Sequence, residues 1–450
     1  MYILSLAGSG CAQIGAPTGG PRDTIPPVLV SAIPKLLTTN FTGNKITLIF
    51  DEYINLKDVQ KDVLVSPFPK TFPIIDYKLK TVTVKLKDTL LDNTTYAIDF
   101  GNAITDNNEG NPYKDFTYVF STGKTIDSLK LTGTVLIAET GKADSTLIVL
   151  LYRNASDSTV EKRKPNYIAR LNAKGKFTFT NLSEGIYKIY ALKDGDGSKT
   201  YNSKFESFAF LDTDITIPTN QDSITLYAFE EEKDIKKAPV TTTKTAAAKK
   251  LKYTTSLSST KQDLLTSLQL HFNNKLKNFD TTKIILTDTN FNPIKDISIS
   301  IDSTRKIVSI KNKWPADTYY RLIINKDAVS DTTNGLLAKT DTIRFATKTL
   351  SEYGSLLLRF KKIELAKHPV IQFIENSEVV KSVPVTGATW SDKMFTPGEY
   401  ELRILYDTNN NGVWDTGNYA KKIQPENAVT LDNKLTIKAD WDNEREIELK

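Results

Sequence analysis

From Met394 to Asn418 the chain reads M-F-T-P-G-E-Y-E-L-R-I-L-Y-D-T-N-N-N-G-V-W-D-T-G-N, an alternating strand that runs into an acidic, glycine-bearing loop. The same pattern is written earlier, at Leu182 to Ser198, as L-S-E-G-I-Y-K-I-Y-A-L-K-D-G-D-G-S. Gly185 and Tyr187 stand to Asp194 as Gly398 and Tyr400 stand to Asp407, with identical spacing. A repeat at this range describes a tandem array of small units rather than one large enzyme fold.

Length agrees with an array. At 450 residues the chain is too long for one core, and about 100–150 residues per domain implies roughly three to four domains. Hydrophobic residues make up 39% and aromatics 10%, enough for several ordinary cores. The 59 Lys and Arg against 53 Asp and Glu leave a net +6 spread thinly. No basic stripe interleaved with aromatics occurs, which argues against nucleic-acid binding.

Reactive side chains are scarce. Cys11 is the only cysteine, so no disulfide forms within the chain, and the two histidines, His271 and His368, stand far apart. That scarcity removes most routes to a zinc site or a His-assisted nucleophile. P-loop, G-x-G-x-x-G and G-x-S-x-G patterns are missing as well. Adjacent carboxylates such as Asp51-Glu52 point to opposite faces of a strand, and the run Glu230-Glu231-Glu232 reads as a solvated domain end. No apolar run is long enough for a membrane-spanning helix.

Four β-rich segments follow one another. In residues 27–123, Ile46 to Phe50, Val82 to Leu86 and Tyr96 to Phe100 alternate with period two, between turn signals such as Asp106-Asn107-Asn108. In residues 124–230, Thr146 to Tyr152 is an apolar strand and G-K-F-T-F precedes the first copy of the repeated motif. Residues 231–251 turn to charge, Thr and Ala and read as a linker. Residues 252–348 repeat the first segment: Phe272 matches Phe50, Asp331 matches Asp106, and Phe345 matches Phe120. Residues 349–450 repeat the second. The expected fold is all-β, with four tandem sandwiches in two repeats.

Three resemblances rest on these residues. P-P-V-L-V-S-A-I-P followed by I-T-L-I-F-D-E-Y-I looks like the bacterial Ig-like domains of S-layer and surface proteins. G-x-F-x-F with L-x-x-G-x-Y is similar to prealbumin-like or carboxypeptidase-regulatory-like sandwiches, which implies stalk or adaptor modules without chemistry of their own. Residues 1–26 resemble a bacterial lipoprotein signal followed by a tether, with Gly8-Ser9-Gly10 before Cys11 and a Gly/Pro-rich leader from Gln13 to Arg22. The resemblance implies lipidation at Cys11, and hence an outer-membrane protein anchored by acyl chains on the surface or periplasmic face. Position 8 departs from the aliphatic residue usual there, and no Lys or Arg precedes the apolar segment.

Two ligand expectations follow. Asp407, Asn409, Asn411 and Asp415, with Gly412 at the turn, fall at the spacing of an EF-hand-like calcium loop and resemble the calcium loops of adhesin B-type repeats. Asn418 replaces the usual bidentate Glu, which predicts weak binding or a purely structural turn. Asp194 and Asp196 offer a poorer version. Trp414, in a polar loop beside Tyr400, Tyr406 and Tyr419, is the candidate for stacking on carbohydrate. The expected function is a non-enzymatic envelope lipoprotein serving as a structural or interaction subunit. Its partners would be other outer-membrane proteins of an assembly, secretion or uptake complex. The alternative is a carbohydrate-binding or adhesive module.

Overall fold

Among the described residues, period-two alternation becomes strand, and helix is confined to single turns such as Val59–Asp62 and Thr159–Lys162. The computed structural model describes residues 22–218, 224–232 and 251–449. Cys11 lies outside the described residues. Among those described, no helix is long and apolar enough to cross a membrane. The chain divides into two compact units: Met1–Lys233 with Asp415–Pro425, and Asp234–Trp414 with Glu426–Lys450.

In the first unit, the first sandwich has a four-stranded sheet ordered Leu29–Ile33, Lys45–Phe50, Thr81–Lys85, Ile74–Lys78. It faces a sheet of Leu64–Ser66, Thr95–Asp99 and Thr117–Ser121. Antiparallel register sets Ile46 opposite Val84 and Leu48 opposite Val82, all four inward, while Thr47 and Thr83 pair on the other face. Each fully buried aliphatic or Phe contributes roughly 1.5–3 kcal/mol, against about 0.2–1 kcal/mol for a cross-strand pair. The buried face therefore fixes the register. The second sandwich sets Leu129–Ile137 between Lys176–Leu182 and Ile224–Ala228, the last pairing parallel. Its other sheet runs Tyr167–Arg170, Ile148–Arg153, Gly185–Leu192, Phe208–Phe210, with Ile215–Ile217 also on Gly185–Leu192.

The second unit repeats this plan with one strand added, Lys261–Gln262, which pairs parallel with Asp341–Thr347. Tyr253–Thr255, Leu268–Phe272, Ile307–Lys311 and Ser298–Ile301 lie in the order of the first sheet of the first sandwich. In the fourth sandwich, Gly354–Lys361 lies between Thr389–Phe395 and a parallel Asp442–Glu448. Gly398–Tyr406 occupies the place of Gly185–Leu192. Each of the four sandwiches has its own core cluster. The two ends of the stretch read as a linker are both ordered: Glu231 takes hydrogen bonds from Tyr201 and Tyr419, and Leu251 is buried in the third core.

Candidate functional site

The tyrosine of the repeated motif does the same work in both copies. Tyr187 is fully buried and its hydroxyl donates to the Ser183 carbonyl at 2.9 Å; Tyr400, 3% exposed, donates to the Thr396 carbonyl at 2.9 Å. A phenol that buries its ring and satisfies a carbonyl four residues back pins the entry of the strand. These rings are therefore core, and Tyr400 is not part of an exposed aromatic platform.

The aspartate that follows closes its loop. Asp407 is 2% exposed, and its carboxylate accepts from the Gly412 N–H at 2.7 Å and the Asn411 N–H at 3.2 Å. Asn409 Oδ1 accepts from Asn411 N, and Asn411 Oδ1 from Val413 N at 2.7 Å. Three oxygens at calcium-loop spacing are thus turned toward backbone donors of the same turn, an Asx-type arrangement. Asp415, the remaining member of the expected set, belongs to the segment of the first unit.

Asp106 and Asp331, matched between the Ig-like segments, behave alike. Asp106 accepts from the N–H groups of Glu109, Gly110 and Asn111. Asp331 accepts from Thr333, Gly335 and the Asn274 amide. The Thr333 hydroxyl and then the Asn274 amide hold the Asp331 carboxyl down at about 2. Burial pushes Asp106 upward, but its backbone donors outweigh that and hold it below the usual range.

The first copy of the loop differs. Asp194, Asp196 and Glu206 bring carboxylate oxygens within 4.8 Å of one another. Asp194 pairs with the Lys199 ammonium and accepts from the Lys199 N–H at 3.0 Å. Asp196 accepts from Asn202 Nδ2 at 2.8 Å and is drawn down to about 2, chiefly by that bond. One Glu206 oxygen, Oε2, is buried without a hydrogen-bond partner. Burial and then the charges of Asp196 and Asp194 push its carboxyl up.

Trp414 is half-buried. Its indole N–H donates to the Glu426 carbonyl at 2.6 Å and its ring packs on Val370, Leu405 and Ala428. Tyr419 is buried in the first unit, among Phe208, Phe210, Tyr190 and Tyr201, with ring centroids 5.0 to 6.1 Å away. Its hydroxyl donates to the Asp157 carbonyl at 2.6 Å, and the Lys422 ammonium sits 4.0 Å from its ring centroid. Glu231 secures the same segment, accepting from Tyr419 N and Asn418 Nδ2 at 3.1 Å. The acidic run read as solvated therefore includes two working acceptors, since Glu230 accepts from the Ser207 hydroxyl at 3.0 Å. Sequence spacing gave no sign of this cradle, which joins Tyr419 to rings at Tyr190, Tyr201, Phe208 and Phe210, in a distant part of the chain.

Residues 23–122 match the family described as the bacterial Ig-like domain, a match that spans the first sandwich. No curated protein matches the chain. Similar solved structures include the major pilin subunit BcpA of Bacillus cereus, 9% identical over 72% of this chain and 99% of that one, at a TM-score of 0.18. The S-layer protein SbsC is 12% identical over 90% of this chain and 54% of its own, at a TM-score of 0.17. The major pilin SpaD of Corynebacterium diphtheriae is 10% identical over 71% and 96%, also at 0.17. Scores of this size carry no argument about ligand or partner.

Proposed function

We propose that the chain is a non-enzymatic structural and interaction subunit of the bacterial cell envelope, held at the outer membrane by acyl chains on Cys11. One observation supports this reading above the others. The recurring acids Asp106, Asp331 and Asp407 each close their own turn, so the duplicated framework uses its polar groups to hold shape. Under this reading the second and fourth sandwiches act as prealbumin-like adaptors, and partner proteins are met by sandwich faces or exposed sheet edges.

Cell fractionation of the native chain and of Cys11→Ser, with mass spectrometry of the mature N-terminus, tests the anchor. The native chain is expected in the outer-membrane fraction with a diacylated cysteine, and C11S in the soluble fraction. An unmodified Cys11 overturns the localisation. Affinity purification from solubilised membranes tests the role, and recovery of stoichiometric envelope proteins is expected. A catalytic turnover assigned to the purified chain would overturn it.

Calcium at the Asp407 loop is part of the proposal, as a weak ligand. The cation would compete with the N–H groups of Asn411 and Gly412 for Asp407, which places the expected dissociation constant near the weak end for extracellular modules, about 10⁻⁴–10⁻³ M. Calorimetric titration checks this, and absence of any heat at millimolar calcium removes the ion from the account.

A further inference from the structure

Between the two sandwiches of the first unit lies a cavity of about 400 Å³. Its walls carry five cationic side chains, Lys61, Lys70, Lys164, Arg170 and Lys199, and no carboxylate. Its floor is apolar, with Phe68, Phe72, Ile148 and Ile168. Two other cavities of the first unit do not share this balance: Asp88 lines one and Asp99 the other. Lys61, Lys70, Lys164 and Arg170 are solvent-exposed, and like charges lining one cleft without a carboxylate give it a positive potential that attracts anions.

The holding contacts are visible. Phe68 N–H donates to the Asn166 carbonyl at 2.6 Å, tying a loop of the first sandwich to the second. The Arg170 guanidinium donates to the Asp62 carbonyl at 3.0 Å and also to the Lys61 carbonyl. Those bonds fix the plane of the guanidinium and leave further N–H donors on it. Burial lowers the Arg170 pKa, with Asp99 and Asp62 acting in the opposite direction. Lys199 is neutralised by Asp194. Lys164 lies over the Phe68 ring, 5.8 Å from its centroid. Among the described residues, no carboxylate forms an ion pair with Lys61, Lys70 or Lys164.

We infer that this cleft binds a phosphate monoester carrying an apolar group, the phosphate set among Arg170, Lys61, Lys70 and Lys164 and the apolar body on Phe68, Phe72 and Ile168. A planar fork and several ammonium groups match a doubly charged phosphate, and the apolar floor gives the attached group a place that inorganic phosphate would leave empty. The volume is at the small end of ligand pockets, about 300–1,000 Å³. It takes a short chain or one ring. The ester could be soluble or could be the headgroup of a lipid.

The test is calorimetric titration of the full chain with hexyl phosphate, with 1-hexanol and inorganic phosphate as the two halves of the ligand. Vesicles of phosphatidylcholine containing phosphatidic acid present the same headgroup on a membrane. Hexyl phosphate is expected to bind at least about ten-fold more tightly than either half, and to weaken as salt rises. The K61Q/K70Q/K164Q variant is expected to lose about ten-fold or more. R170K, which keeps the charge and loses the fork, guards against a variant that fails for lack of folding; it should bind with intermediate strength. Binding of hexyl phosphate without vesicle binding assigns a soluble ester, and binding of both assigns a lipid headgroup. No heat with hexyl phosphate, equal binding of 1-hexanol, or an unchanged triple variant with native thermal unfolding overturns the site. Vesicle binding without hexyl phosphate binding also overturns it, because the charges would then act as an open surface.

Discussion

The two copies of the glycine–tyrosine–aspartate motif share a strand and part company in the loop. After Tyr187 the chain turns through Asp194 and Asp196 and meets Glu206, leaving three acids close together. After Tyr400 it turns through Asp407, Asn409 and Asn411, and the oxygens of Asp407, Asn409 and Asn411 accept from N–H groups of the same turn. The chain then enters Asp415–Pro425, which packs as part of the first unit. Strand geometry is set by buried side chains on a two-residue period, so it survives duplication. The loop is constrained only to return the chain to the next strand, and it was free to diverge.

The largest expected effect falls on the part found in one copy alone. Tyr419→Ala would empty the cradle of Phe208, Phe210, Tyr190 and Tyr201, at a cost of about 3–5 kcal/mol for a large aromatic. Gly417→Ala attacks the same segment from the backbone, because a Cβ there would sit 2.7 Å from Phe229 Cζ and 2.8 Å from the Ile423 carbonyl oxygen. Hydrogen exchange of Phe208–Phe210 and of residues 415–425 reads both variants. Fast exchange confined to those two stretches is expected, and unchanged protection would mean that the segment contributes little.

Next come the aspartates. Asp407→Ala leaves the Gly412 N–H without its acceptor, at about 1–3 kcal/mol, and leaves the Asn411 N–H only its bond to Asn409 Oδ1. Asp194→Ala removes one N–H contact and a partly exposed ion pair with Lys199, so it should do less. Thermal unfolding of the two variants orders them, and a reversed order would mean that the acid cluster holds its loop more firmly than the amide-closed turn. Smaller still, Tyr400→Phe removes the bond to the Thr396 carbonyl, and Tyr187→Phe removes the bond to the Ser183 carbonyl together with a 3.2 Å contact to the Ser183 hydroxyl, each while keeping the ring. A loss of about 0.5–1.5 kcal/mol is expected at Tyr400 and at least as much at Tyr187, and a smaller loss at Tyr187 would break the equivalence of the copies.

Much of this frame was legible in the sequence because it depends on local rules. Ile46, Leu48 and Phe50 alternate with Thr47 and Ile49, and that pattern names both the strand and its buried face. Asp106 and Asp331 could be matched from their turn residues, since a glycine four residues on donates its N–H to the aspartate in both loops. The cradle around Tyr419 and the cation-lined cleft were not legible. Each joins residues from separate strands and loops, and no periodicity records which loops meet. Trp414 misled for a related reason: a polar stretch in sequence says nothing of Val370 and Leu405 beneath the ring.

The finest contrast is between two glutamates that lead into matching strands. Glu426, before Asn427–Thr430, accepts from the Thr408 N–H at 2.7 Å and the Thr408 hydroxyl at 2.8 Å. Glu206, before Phe208–Phe210, has a buried oxygen without a partner and a carboxyl raised above its ordinary 4.5 by burial and by Asp196 and Asp194. A raised carboxyl pKa means that the folded state holds the proton more tightly than the unfolded chain. Stability is then lost as pH rises from about 4.5 through the raised value, and above it the charge opposes folding. Glu206→Gln is therefore expected to raise the thermal midpoint of the first unit at pH 7 and to leave it nearly unchanged at about pH 3, well below the ordinary 4.5, where the carboxyl is protonated in both states. Glu426→Gln should lower the midpoint, because a carboxylate group serving two donors is replaced by an amide with a single oxygen. A stabilising effect of E206Q that is the same at both pH values would assign the difference to shape, and a loss at pH 7 would mean that the charged Glu206 has a cation beside it.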